Sequence, residues 1–343
     1  MSSLAPERAK VARFNAMLGP YQGPDTGRSV RQLVVTAAGF FAFWYAAFWA
    51  LEVSYALTLL LTIPTTGLLV RLFMIQHDCG HGSFFRSRRL ASIVGHWLGV
   101  LTLTPFEYWR RTHAYHHAHS GDLDLRGFGD VDTLTVDEYL GRSALGRLSY
   151  RIYRHPLLLF GGGALFHFLV KHRYPWDVPR DWKAAWRSVW LTNLSLAAVI
   201  AGMVALIGWG PFLLVHGPVV VLTCAVGVWL FYVQHQFEEA YWARKPEWDF
   251  YDAALKGSSH LVLPTPLRWI TADIGVHHVH HMSPRIPNYR LLECLDANPE
   301  LSAGTQLTFR NSWSLLRLSL WDPEARRLIG FRELRERSAP ARI

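Results

Sequence analysis

Charge is scarce in this sequence. Of 343 residues, 18% are Asp, Glu, Lys or Arg, against roughly 25% in an average soluble domain. Half are hydrophobic and 14% aromatic. That excludes a disordered chain, which lacks the apolar surface to offset its ordering entropy. Cysteine is scarcer still. Three residues cannot staple a disulfide scaffold, and no two stand in a C-x-x-C pair, which argues against thiolate metal sites. Acid is the rarer charge, leaving a formal net charge of +9. Such an excess suits nucleic acid or an anionic membrane surface. The mean hydropathy of +0.10 favours membrane lipid, and no nucleic-acid partner is expected.

The charge that exists is absent from two long runs. Gln32 to Val70 holds no Lys, Arg or Asp and a single Glu, Glu52. As helix these residues would span about 58 Å, enough to cross a ~30 Å hydrocarbon core twice. Glu52-Val53-Ser54-Tyr55 sits near the midpoint, where a turn is needed. Ser188 to Phe237 holds no charged residue at all, and Gly208-Trp209-Gly210-Pro211 breaks it in two. A soluble core of buried hairpins would not need runs this long. The expected fold is therefore an all-α integral membrane protein: four transmembrane helices in two hairpins, spanning about 32–51, 53–76, 188–207 and 211–235, with a cytosolic helical cap. Residues 1–31 read as a cytosolic N-terminal arm rather than a signal peptide, since they have no apolar core or cleavage site. Residues 32–295 form the membrane domain and 296–343 a cytosolic C-terminal segment, its Arg-rich tail from Pro323 a helix or a frayed end.

Neither hairpin turn contains Lys or Arg, so all 35 basic residues lie on one side. By the positive-inside rule that side is the cytoplasm, and the expected location is a bacterial inner membrane with the active site on its cytoplasmic side. Two shorter apolar stretches, Leu90–Phe106 and His155–Val170, are marginal for a span. If one crossed, it would separate the histidines on opposite faces. Both are read as interfacial or re-entrant helices.

Histidine is abundant, at 17 residues, and clustered. His77 and His81 form an H-x-x-x-H pair. His113, His116 and His117 form an H-x-x-H-H triplet, repeated by His277, His280 and His281. On a helix, positions i, i+3 and i+4 share a face, and neutral imidazole ligates iron, copper, zinc and nickel. Eight imidazoles exceed the three or four protein ligands of one zinc. Two ions with open positions match better, and a redox metal at a membrane surface points to dioxygen chemistry. His235 stands at the end of the second uncharged run, at a depth comparable to the first pair, and is expected as a ninth ligand. Asp78, Glu107, Asp122, Asp124, Glu238 and Asp273 are candidates to orient the imidazoles. His278 and His119 are weaker ligand candidates. His96, His155, His167, His172, His216 and His260 read as structural.

These three clusters resemble the histidine boxes of the membrane fatty acid desaturase family. The second lies inside Trp109-Arg110-Arg111-Thr112-His113, and the third precedes Met282-Ser283-Pro284-Arg285-Ile286-Pro287-Asn288-Tyr289. The four-helix layout matches too, so the resemblance covers roughly residues 30–295. Phe231-Tyr232-Val233-Gln234-His235-Gln236-Phe237-Glu238 and Ala272-Asp273-Ile274-Gly275-Val276-His277 are similar to the bacterial omega-6, or delta-12, acyl branch. The resemblance implies two non-haem irons held by His77, His81, His113, His116, His117, His277, His280 and His281, with His235 at the extra ligand position. It implies O2 as co-substrate, two electrons, and a cis double bond placed in a fatty acyl chain carried on lipid, CoA or carrier protein. Phe106, Tyr108, Trp109 and Trp97 are candidates to line the acyl tunnel. No His-Pro-Gly-Gly segment of a fused cytochrome b5 domain is present. A separate electron donor such as ferredoxin is therefore expected.

Hydroxylases, carotenoid ketolases and alkene-forming fatty acid decarboxylases share such boxes and differ in product. A metal transporter would carry its ligands inside the spans, near the midplane, whereas here the clusters flank them. A zinc hydrolase fits the ligand count poorly.

Overall fold

The computed structural model describes residues 4–338. Four of its helices are long and apolar enough to cross a membrane. The first, Thr26–Trp49, begins where the Asp25 side chain accepts a hydrogen bond from the Arg28 N–H at 2.9 Å, capping one of the otherwise orphaned amides of the first turn. The expected span began at 32, where the uncharged run begins after Arg31; the helix itself starts six residues earlier, at Thr26, and carries Arg28 and Arg31 in its first turns. A short 3₁₀ turn, Ala50–Glu52, leads into the second helix, Tyr55–His81. The Thr58 hydroxyl donates to the Ala47 carbonyl across that turn, at 3.2 Å. The second helix runs through the first histidine pair and stops at Gly82, whose φ of 69° is left-handed. Glycine takes that conformation without strain and ends a helix there.

The third and fourth long helices, Lys183–Ile207 and Trp209–His235, are separated by Gly208 at φ 80°. They differ in setting. Some 67% of the most apolar stretch of Tyr55–His81 is buried, against 6% for Lys183–Ile207. Leu194 and Leu206 of the latter are 70% and 81% exposed. So large an apolar face is not a surface that water tolerates.

Between the pairs, Arg88–Leu101 and Phe106–His119 are separate helices broken at Pro105. Gly95 lies directly under the Phe106 ring, leaving no room for a Cβ. The other short stretch, Leu158–Lys171, is a helix with two π-helical turns around Gly163–Phe166. Leu157, Phe166, Leu169 and Val170 are exposed along it.

The structure is mostly helical, as expected, with two small sheets added. Leu318–Asp322 pairs antiparallel with Arg327–Gly330 and parallel with Leu134–Thr135. His260–Val262 pairs parallel with Gln306–Thr308. The tail from Pro323, expected as a helix or a frayed end, supplies the second strand of this hairpin, Arg327–Gly330, and then the helix Phe331–Ser338. Leu318–Asp322 is buried at every position, so it shows none of the polar alternation that marks a half-exposed strand.

The arm preceding the first long helix is helical over Leu4–Leu18 and is fastened to the chain around the third cluster. Lys10 Nζ lies 2.7 Å from the Asp249 carboxylate, Phe14 stacks on Tyr251, and the Gln22 amide donates to the Ser283 hydroxyl at 3.0 Å.

Candidate metal centre

All three histidine clusters lie on helices. His77 and His81 close Tyr55–His81, the second cluster closes Phe106–His119, and the third fills the short helix His277–Met282. Fold-back of these elements onto the end of Trp209–His235 brings nine imidazoles together. They form two groups, His77, His81, His113, His117 and His280, and His116, His235, His277 and His281, with one nitrogen of each within 4.8 Å of its fellows.

The triplets divide between the groups in a reciprocal way. From the second cluster, His113 and His117, four apart, face the first group, and His116 faces the second. From the third, His277 and His281 face the second group, and His280 the first. Each triplet thus bridges both groups.

Nε2 atoms make the closest approaches: 3.0 Å for His113–His117, 3.1 Å for His117–His280, 3.2 Å for His116–His235, 3.0 Å for His235–His277 and 3.1 Å for His277–His281. Metal–imidazole bonds of about 2.1 Å at right angles would put two ligand nitrogens about 3 Å apart. The spacing therefore fits nitrogens sharing one ion. His81 Nε2 is buried and has no hydrogen-bond partner, as a nitrogen reserved for a metal would be.

Opposite nitrogens of several rings are anchored. His77 Nδ1 lies 3.1 Å from the Asp78 carboxylate, whose other oxygen accepts from the Asn288 backbone and side-chain N–H groups at 2.7 and 2.8 Å. His116 Nδ1 pairs with the Asp130 carboxylate. His235 Nδ1 faces the Gly257 carbonyl at 3.3 Å. Such partners fix the ring tautomer with Nε2 free to bind metal. Burial, reinforced by the neighbouring imidazoles, pushes His113, His117, His277, His280 and His281 well below their ordinary pKa. Neutral imidazole is the metal-binding form.

Of the acids expected to orient histidines, Asp78 alone has that contact among the described residues. Glu107 pairs with Arg110, Asp124 with Arg244, Glu238 with Arg327 and Asp273 with Arg268. Asp122 accepts from the Asp124 N–H. Asp130 was not among the expected residues. Its only sequence signal was an Asp in the polar stretch following the second cluster.

His119 turns its Nδ1 to the Tyr115 carbonyl, and His278 packs beside the His260 ring. Neither joins a group. His172 faces the Leu103 carbonyl and His96 the Ser195 hydroxyl.

The proposed tunnel residues separate. Trp109 stacks on His113, ring centroids 4.4 Å apart. Phe106 and Tyr108 are core residues, and Trp97 is exposed. A small cavity adjoins the second group, lined by Asp130, Val131, Phe231, His235, Gln236 and Trp242 among others.

The fatty acid desaturase family model matches residues 52–313, taking in every histidine of both groups. The chain belongs to this family. A fatty acid desaturase of Bacillus subtilis (strain 168) is 40% identical over 326 residues, covering 95% of this chain and 92% of that protein. An sn-1 oleoyl-lipid 12-desaturase of Synechocystis is 27% identical over 74% of this chain and 70% of that protein. An sn-1 acyl-lipid omega-3 desaturase (ferredoxin) of Nostoc is 28% identical over 66% of this chain and 63% of its own length. The protein is thus an oxidoreductase of fatty acyl chains, and its four apolar helices make it an integral membrane protein.

Proposed function

We propose that this desaturase holds two irons, one in each histidine group, and uses dioxygen and two electrons to place a cis double bond in an acyl chain, with delta-12 (omega-6) regiochemistry. The observation that carries the reading is the division of nine imidazoles into groups of five and four. Without His235 the second group would have three. The delta-12 assignment rests on the segments 231–238 and 272–277, supported by the 12-desaturase relative of Synechocystis.

Bound iron would supply the oxidising power to remove hydrogen from an unactivated methylene. The chain itself supplies position and dryness. Asp78, Asp130 and the Gly257 carbonyl hold His77, His116 and His235 with Nε2 pointing inward. Phe231 packs against the rings of both His116 and His235, at 5.0 and 5.1 Å between centroids, and gives the second group an apolar wall. Selecting one pair of methylenes among many alike is a matter of placement alone. Electrons come from a separate carrier such as ferredoxin, attracted by the basic face. The centre faces the cytoplasm of a bacterial inner membrane.

Expression in a host without such enzymes, followed by fatty acid analysis, tests the reading. The wild type is expected to yield a new cis-monoene or diene at the delta-12 position and about two iron per chain. His116→Ala, in the four-histidine group, and His280→Ala, in the five-histidine group, are each expected to abolish product and lower iron while leaving membrane insertion intact. A hydroxylated, keto or decarboxylated product, or zinc in place of iron, would refute it.

A further inference from the structure

Among the described residues Arg154 is the most deeply buried cation, 3% exposed. It follows the helix Ala144–Tyr153, and every group it reaches is neutral. One terminal nitrogen donates to the Asp132 carbonyl at 3.1 Å and the Thr133 hydroxyl at 3.4 Å. The other donates to the Gln236 side-chain carbonyl at 2.8 Å, the Leu318 carbonyl at 3.0 Å and the Tyr232 hydroxyl at 3.4 Å. A buried charge is costly unless its hydrogen bonds are made. This one is held by a nearly complete set of acceptors and by no carboxylate.

All of these acceptors but the Leu318 carbonyl stand beside His235 or beside Asp130, the residue behind His116. Tyr232 and Gln236 bracket His235 on the last turn of Trp209–His235. Asp132 and Thr133 lie two and three residues beyond Asp130, whose carboxylate holds His116 Nδ1. The Thr133 hydroxyl and the Gln236 carbonyl also meet, at 3.3 Å. His116 and His235 face each other at 3.2 Å between Nε2 atoms. Among the described residues, Arg154 makes no hydrogen bond to a flank of the five-histidine group.

We infer that Arg154 is a positioning residue for the four-histidine group: its guanidinium ties the 130–133 segment to the end of the fourth long helix and so sets the distance between His116 and His235. The inference rests on the two-ion reading above. A planar fork reaching acceptors on three chain segments does this where the single ammonium of lysine reaches fewer of them. Partners bonded directly to a metal ligand typically carry 10–100-fold in metal affinity, and Arg154, acting one step further back, is expected at the lower end of that range.

The test is a Co²⁺ titration of the purified full-length protein, metal-free at the start and followed by ligand-field absorption, together with the thermal midpoint. The wild type is expected to take up two ions. In Arg154→Met one step is expected to weaken at least ten-fold while the other stays within two-fold. Arg154→Lys keeps the charge and is expected to fall between, with a thermal midpoint close to wild type. The lost step is assigned by His235→Gln, which is expected to abolish the same one. If Arg154→Lys binds both ions as the wild type does, or if both steps weaken together in either variant, the positioning role is overturned and Arg154 is general scaffold. A wild-type chain that takes up fewer than two ions refutes the two-ion reading itself, and this inference with it.

Discussion

A histidine becomes a ligand candidate through what stands behind it as much as through its spacing. His235 shows this. It lies outside the three clusters, and its position at the end of an uncharged run was enough to place it near them. The structure then gives its two nitrogens different tasks: Nδ1 toward the Gly257 carbonyl, Nε2 toward His116 and His277. A histidine anchored to a carbonyl alone would be structural, whereas one with its second nitrogen among imidazoles is built to ligate. Glutamine at this position keeps a polar group of similar reach and removes the imidazole. His235→Gln is expected to reduce activity strongly and to release the more weakly held iron, read by metal analysis after dialysis. Near wild-type activity and iron would leave an eight-histidine site. Asp130 is the complementary case. Fourteen residues from His116 in sequence, it carries no spacing signal, and the acids that looked better placed, Glu107 and Asp124, are taken by arginines. Asp130→Asn retains shape and loses the charge that fixes the His116 tautomer. A 10–100-fold loss of metal affinity is expected, measured by competition with a chelator.

At the scale of elements, the long helices and the three helical clusters were legible because uncharged length and i, i+3, i+4 spacing are strong local signals. The division of each triplet between two groups was not. A single stripe of imidazoles was the expectation, and only the approach of other helices decides which nitrogen meets which neighbour. The short strands were hidden for a related reason. His260–Val262 and Gln306–Thr308 have three residues each and are defined by pairing across more than forty residues of chain. The first of these strands also meets the chain leading into the third cluster. The Leu261 N–H donates to the Gly275 carbonyl at 2.8 Å, and a Cβ on Gly275 would lie 2.4 Å from the Leu261 carbonyl oxygen. Gly275 stands two residues before His277. Gly275→Ala must push strand and histidine helix apart, an overpacking that costs about 1–3 kcal/mol. The expected result is a lower thermal midpoint and reduced iron. Unchanged values of both would show that the close approach does not set the helix position.

For the whole molecule, burying so many imidazoles makes stability depend on pH in a fixed direction. In the folded, metal-free chain His113, His117, His277, His280 and His281 have depressed pKa values, while in the unfolded chain histidine titrates near about 6.5. Below that pH the unfolded state binds more protons, so stability falls on acidification; well above it both states are neutral and the term vanishes. The metal-free protein is expected to lose thermal stability between about pH 7 and 5, and the histidine contribution to be flat above about pH 7.5. His113→Gln with His281→Gln should flatten the slope.

The proposed orientation in the membrane draws its support from the lengths and charges of two helices. Tyr55–His81 and Trp209–His235 both have 27 residues, about 40 Å of helix. Both end in the histidine cluster, and His77 and His235 are joined through His116, His113 and their neighbours. Their starts, beside Ser54 and Gly208, therefore lie together at the opposite end. With a hydrocarbon core of ~30 Å, the last two turns of each would emerge from the bilayer on the cluster side, which is where the histidines are. Glu52 is the only charged residue in either turn, so the charge rule supports the proposal that the turns face outward and the histidine end faces the cytoplasm. Single cysteines at Ser54 and Trp209, both exposed, are expected to react with an impermeant thiol reagent added outside intact cells, and a cysteine at Arg89 only after the membrane is opened. The background is low, because Cys79, Cys224 and Cys294 are all buried. Labelling of Ser54 and Trp209 from the inside alone would invert the protein, placing its metal centre and its electron donor outside the cytoplasm.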